Sequence, residues 1–216
     1  MIYLFPVHSD LNQESLLAEW CPLMSVQRYE KILKYYFLRD RFLSAAAFLL
    51  LRYALYREFH LTECPELIQH GNEKPLLKGS RICFNLSHCE KAVLCGISSK
   101  PVGVDVQEYQ DSLWEYRKQI ACENEQHLFS DEKSFTRLWT LKEAYGKYTG
   151  SGICYTLSGK DFSSIRNAEI FQKFNDIYVY SRETDQFTFS VFCEELLSVY
   201  EINETDIRQF AEYLKQ

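Results

Sequence analysis

No stretch of this 216-residue chain is of low complexity, and no fixed period repeats along it. Glycine and proline are few, at 8 and 5 positions, and they never gather into a flexible linker. Any two lobes should therefore pack tightly against each other. A long apolar run is also missing. The longest, Phe42 to Leu51, is about half of what a membrane span needs and is hemmed by Arg39, Arg41 and Arg52. The start, Met1-Ile2-Tyr3-Leu4-Phe5-Pro6, lacks the basic flank and apolar length of a signal peptide. A cytoplasmic protein with no membrane partner is expected. A basic excess is absent too: the net charge is −6, which argues against a general nucleic-acid binder while leaving room for local basic clusters that hold a small phosphorylated ligand.

The chemistry that is missing narrows the field further. There is no G-x-x-x-x-G-K-[ST] phosphate loop, no G-x-G-x-x-G, no G-x-S-x-G and no H-E-x-x-H. The eight cysteines, at 21, 64, 83, 89, 95, 122, 154 and 193, never form C-x-x-C and are too dispersed for a small disulfide scaffold, so free thiols are expected. The five histidines, at 8, 60, 70, 88 and 127, do not fall at zinc spacings.

What is present is core material, 46% apolar residues with 15% aromatics, enough for one large domain or two compact lobes. Residues 2 to 7 read as a strand, and Asp10 or Asn12 can cap a small helix running to Trp20. Ser25 opens a helix carrying Arg28, Lys31, Lys34, Arg39 and Arg41. Its basic side chains are either a solvated face or an anion site, since Arg28 and Lys31 are one turn apart and can converge on one phosphate. Residues 40 to 59 form the most apolar helix. Gly71-Asn72-Glu73-Lys74-Pro75 fixes a loop.

From Arg81 to His88 polar and apolar residues alternate, giving a strand with Ile82, Phe84 and Leu86 on one face and Cys83, Asn85 and Ser87 on the other. Ala92 to Ile97 is a second strand. Val102 to Gln107 is a third, with Asp105 and Gln107 sharing a face roughly 6.5 to 7 Å apart along the backbone. A carboxylate in so apolar a strand needs a partner, whether an ion pair, a turn cap or a metal. Residues 111 to 129 read as one or two helices. A helix capped by Ser130 or Asp131 then runs to a stop at Gly150 and Gly152, with Trp139, Glu143 and Lys147 stacked in one stripe. Glu143 and Lys147 are an ordinary intrahelical pair or, alternatively, a metal ligand or base and a phosphate contact, with Lys142 beside them. Strands follow at 168–174, 177–181 and 187–193, and Thr205 caps a final amphipathic helix. The expected fold class is α+β, two lobes in series, with an N-terminal lobe over 1–100 and a C-terminal lobe over 101–216. Asp105, Gln107 and Glu143, hard oxygen donors set among separated basic residues, suit Mg²⁺ beside substrate phosphates.

Three ordered segments carry a resemblance. Phe84-Asn85-Leu86-Ser87-His88, then Val102-Gly103-Val104-Asp105-Val106-Gln107, then Leu138-Trp139-Thr140-Leu141-Lys142-Glu143-Ala144-Tyr145-Gly146-Lys147 resemble the motifs of the larger, two-lobed 4′-phosphopantetheinyl transferases that activate nonribosomal peptide synthetases. The likeness covers roughly residues 25 to 150. It implies two similar α+β lobes in a pseudo-twofold arrangement with the active site between them. It also implies transfer of 4′-phosphopantetheine from coenzyme A to a serine of an apo acyl or peptidyl carrier protein, releasing 3′,5′-ADP, by a Mg²⁺-dependent monomer. Carried over, the resemblance makes Asp105, Glu143 and Gln107 the metal site, with Glu143 as the candidate base. Lys147 would contact the pyrophosphate, with Lys142 near it. Ser87 and His88 would bind phosphate groups of coenzyme A, Arg28 and Lys31 would grip its 3′-phosphate, Ser44 would add a weaker contact, and Lys74 would lie near the adenine. Many relatives carry Glu where this chain has Gln107, which implies a lower charge around the metal. A non-catalytic coenzyme A or carrier-binding module with a degraded metal site is the alternative. Carrier docking on residues 111 to 129, through Trp114, Tyr116, Arg117 and Lys118, is the expected surface.

Overall fold

The computed structural model describes residues 1–69, 71, 74–151 and 159–215. In chain order the elements are β1 (Ile2–Pro6), α1 (Gln13–Trp20), α2 (Val26–Leu33), α3 (Leu38–Phe59), β2 (Leu67–Ile68), β3 (Leu76–Leu77), β4 (Cys83–Cys89), β5 (Ala92–Ser98) and β6 (Val102–Glu108). Three short helices follow, α4 (Asp111–Trp114), α5 (Arg117–Ile120) and α6 (Glu123–Leu128), and then α7 (Glu132–Thr149). The chain closes with β7 (Ala168–Phe174), β8 (Ile177–Glu183), β9 (Phe187–Cys193), β10 (Val199–Glu201) and α8 (Glu204–Tyr213). Helices and strands occupy separate layers, so the class is α+β.

Side-chain polarity sets most of the element ends. Asn12 caps α1 by accepting the Ser15 amide, and Asp131 caps α7 by accepting that of Ser134. Gly150 ends α7 at φ 75°, a left-handed position that suits glycine; Gly152, the other expected stop, lies outside the described residues, as do Asn72 and Glu73 of the expected 71–75 loop. The last helix is capped by Asn203 rather than Thr205, because the Asn203 carboxamide reaches the Asp206 amide while Asp206 returns a bond to the Asn203 amide. The basic helix opened by Ser25 stops at Leu33, and Phe37 is extended at ψ 141°. The aromatic run Tyr35-Tyr36-Phe37, of weak helix preference, falls in the break. Arg39 and Arg41 consequently belong to α3.

Two four-stranded sheets form the centre, one in the order β10-β1-β5-β4 and the other in the order β6-β9-β8-β7. The alternation of β1 splits its residues between two cores. Tyr3 and Phe5 point at α3, with Trp20, Phe42 and Phe210, whereas Ile2 and Leu4 meet Val102, Val104, Val106, Phe189 and Val191 of the second sheet. The far face of the second sheet is covered by α7 through Phe135, Leu138, Leu141 and Ala144. The order is thus helix, sheet, sheet, helix.

The expected division at residue 100 falls between β5 and β6, but the end of the chain crosses back. β10 pairs parallel with β1, and α8 lies on α3 with Phe210 stacked on Tyr56 and edge-on to Tyr53. Residues 199–213 therefore complete the first layer, and the sheet assigned to 101–216 ends at Cys193. The reason is burial: Ile207, Phe210 and Ala211 form an apolar face that joins the core holding α3 and β1.

Candidate active site

The two sheets meet edge to edge at β4 and β6. Ser87, on β4, donates from Oγ to Asp105 Oδ1 on β6 at 2.8 Å. Lys147, near the end of α7, reaches the same Asp105 oxygen at 2.6 Å and the Ser87 hydroxyl at 3.2 Å. Asp105 is 6% exposed, so the pairing supplies the partner that a buried carboxylate requires. Of the two sequence readings of the Glu143–Lys147 stripe, the plain intrahelical pair is replaced: the ammonium crosses to another element.

Glu143, one turn earlier on α7, is 8% exposed. Its carboxyl is pushed up to about 7, first by burial and then by the Asp105 charge, with Lys147 pulling the other way. Gln107 follows Asp105 by two residues on β6 and is half-buried, so alternation sets its amide on the same face. The Asp105 charge disfavours that of Glu143, and two carboxylates with the amide of Gln107 on the same strand face as Asp105 are a donor set of hard oxygens, which fits Mg²⁺.

Beside this knot lies a cleft of about 320 Å³ whose walls include Arg28, Lys31, Ser44, Phe48, Pro75 and His88. Arg28 extends from α2 across Phe48, 5.2 Å from the ring centre, and donates to the Ser44 hydroxyl at 2.8 Å and carbonyl at 2.5 Å. Its Nε is buried with no hydrogen-bond partner among the described residues. Burial lowers the pKa of Arg28; burial, then Arg28 and Lys34, lower that of Lys31. His88 stands on the cleft wall with its pKa held down by the surrounding protein, then by Lys147 and Arg28. Arg28, Lys31 and His88 thus share one wall of the cleft, where burial and neighbouring positive charge disfavour the protonated forms of Lys31 and His88.

Two expected residues are placed differently. Lys142 does not join the knot. Its Nζ pairs with Glu125 of α6 at 2.8 Å and donates to the Lys160 carbonyl at 2.8 Å, and it is 3% exposed. Lys74 donates to the Val102 carbonyl at 2.5 Å, and burial first, with Lys147 adding, lowers its pKa to about 8. Only its neighbour Pro75 lines the cleft. Asn85, read from the sequence only as a residue of one strand face, accepts the Val104 amide at 2.7 Å; its place on the Ser87 face of β4 was the available signal.

Among the described residues, three potential ligand side chains converge at Cys122, Glu125 and Asp161, with ligand atoms within 4.8 Å of one another. Glu125 there already accepts the Cys122 and Phe162 amides and the Lys142 ammonium, and Asp161 accepts from Asn124 and Ser163. These bonds tie α6 to the segment at 161–163. Among the described residues no helix is long and apolar enough to cross a membrane.

A family model described as the 4′-phosphopantetheinyl transferase superfamily matches residues 101–211. The chain is 28% identical over 157 residues to 4′-phosphopantetheinyl transferase psf-1 of Bacillus pumilus, covering 69% of this chain and 67% of that protein. It is 30% identical over 139 residues to 4′-phosphopantetheinyl transferase gsp of Aneurinibacillus migulanus, covering 60% and 57%, and 25% identical over 166 residues to 4′-phosphopantetheinyl transferase Sfp of Bacillus subtilis (strain 168), covering 72% and 73%. The match takes in β6, which brings Asp105, and α7, which brings Glu143 and Lys147, and on it the chain belongs to the 4′-phosphopantetheinyl transferase superfamily.

Proposed function

We propose that this protein transfers the 4′-phosphopantetheine group from coenzyme A to a serine of an apo carrier protein, with Mg²⁺ bound and 3′,5′-ADP released. The knot of Ser87, Asp105 and Lys147, with Glu143 beside it and a cation-walled cleft adjoining, is the observation that carries this reading. Arg28 and Lys31 hold the 3′-phosphate, Ser44 and His88 help to fix it, and Lys147 meets the pyrophosphate. Asp105, Glu143 and Gln107 would hold Mg²⁺, which when bound neutralises charge on the pyrophosphate. The attacking hydroxyl comes from the carrier, in keeping with the missing nucleophile motifs. Glu143, with its carboxyl near 7, is suited to take the serine proton. Lys147 faces the oxygens on which negative charge grows as 3′,5′-ADP leaves, an electrostatic task that needs no covalent intermediate. A cytoplasmic monomer that works without nucleic acid or membrane is the setting we assign it, with carriers docking on residues 111 to 129.

The test is incubation with coenzyme A, Mg²⁺ and a panel of apo carriers, followed by intact masses. A phosphopantetheine-sized gain, abolished by EDTA and by Asp105→Ala, is expected. No gain on any carrier, with coenzyme A binding retained, would turn the reading to a non-catalytic binding module.

A further inference from the structure

β6 is the edge strand of its sheet, and the antiparallel ladder to β9 occupies one of its sides. The backbone groups of alternate residues point out of the other side, and buried away from water they need partners. Among the described residues no strand pairs there. Three side chains from earlier in the chain take the role instead, at Val102, Val104 and Val106. Lys74 donates to the Val102 carbonyl at 2.5 Å, Asn85 Oδ1 accepts the Val104 amide at 2.7 Å, and Ser87 Oγ accepts the Val106 amide at 3.3 Å. The residue between the last two is Asp105, whose side chain the same Ser87 engages.

We infer that this side-chain ladder is the joint that sets the catalytic geometry, and that Asn85 is a positioning residue of the reaction proposed above, on which the inference rests. Asn85 is 7% exposed, and its bond to Val104 is the shorter of the two amide bonds. Among the described residues its side chain bonds to the Val104 amide and to none of the groups expected to meet substrate or metal. Its effect passes through the backbone. By fixing the Val104 amide it holds β6 in register with β4, and register decides whether Ser87 stands opposite Asp105 and within reach of Lys147. A shift of 1 Å at such a joint is enough to impair a reaction that depends on positioning.

The test uses the whole chain and two replacements that keep the γ-branched shape of the side chain. Asn85→Leu removes the acceptor, and Asn85→Asp retains it. Transfer kinetics and amide hydrogen exchange at Val104 and Val106 are read on both, beside the wild type. Asn85→Leu is expected to lower kcat at least tenfold with the KM for coenzyme A within threefold, and to lose protection at Val104. Asn85→Asp is expected to keep that protection and most of kcat. Full kcat in Asn85→Leu overturns the inference, whether or not the Val104 amide is exposed, and so does an Asn85→Asp protein as impaired as Asn85→Leu. If Asn85→Leu does not fold, Asn85→Ala takes its place under the same criteria. A wild-type protein that transfers to no carrier refutes the proposed function, while exchange at Val104 still decides whether Asn85 holds the joint.

Discussion

Lys142 and Lys147 sit on one helix yet end in different environments, because five residues turn a helix by about 140° beyond a full revolution. Lys147 faces the seam between the sheets and binds Asp105; Lys142 faces α6 and binds the fully buried Glu125. Removing one partner of a buried pair leaves an uncompensated charge, so Lys142→Met should destabilise the fold by about 3 to 5 kcal/mol. Coenzyme A affinity of the protein that remains folded should be unchanged by calorimetry; a tenfold loss with full stability would restore Lys142 as a ligand contact. Lys74 gives a second test. In the unfolded chain its ammonium keeps its proton to about 10.5, whereas burial in the fold brings it to about 8. The folded state therefore binds fewer protons between those values, and stability from this group is lowest below pH 8 and rises toward pH 10.5, by at most about 3 kcal/mol. Urea unfolding of wild type and Lys74→Met at pH 7.5, 9 and 10 should give a difference that grows with pH. A flat difference would show that the lysine titrates normally.

At the scale of elements, the contact between β6 and α7 decides whether the knot can form. Gly103 lies where α7 crosses the strand, and a Cβ there would come within 2.2 Å of the Ala144 carbonyl and 2.3 Å of the Tyr148 amide. Both are helix backbone and cannot rotate aside. Overpacking into a core costs about 1 to 3 kcal/mol, and Gly103→Ala should fall at or beyond the upper end because α7 must move bodily. Denaturant midpoints measure this directly, and a loss below about 1 kcal/mol would mean that the helix has slack. Since α7 carries Glu143 and Lys147, the folded fraction should also transfer more slowly.

At the scale of the whole molecule, the pairing of β10 with β1 and of α8 with α3 ties residues 199–213 into the first layer. Phe210 is 4% exposed between Tyr53 and Tyr56 of α3. Phe210→Ala should cost about 3 to 5 kcal/mol. The loss should appear in hydrogen exchange of β1 and α3, which lie far away in sequence. If only residues 101–193 lost protection, the last helix would belong to the second sheet after all.

Most of the longer elements, their apolar faces and the candidate site residues were legible in local sequence patterns. Alternation along 81–88 and 102–107, the stripe through Glu143 and Lys147, and the pairing of Arg28 with Lys31 are local patterns, written by the periods of strand and helix. What the periods do not encode is which face meets which. Packing of the elements sent Lys147 to Asp105 rather than Glu143, gave Lys142 to Glu125, carried residues 199–213 back to the first layer and set Lys74, Asn85 and Ser87 along the edge of β6. Each of these is a bond between elements distant in the chain. It is settled by the need to pair buried charge and buried backbone once the apolar faces have packed, and no local period carries that information.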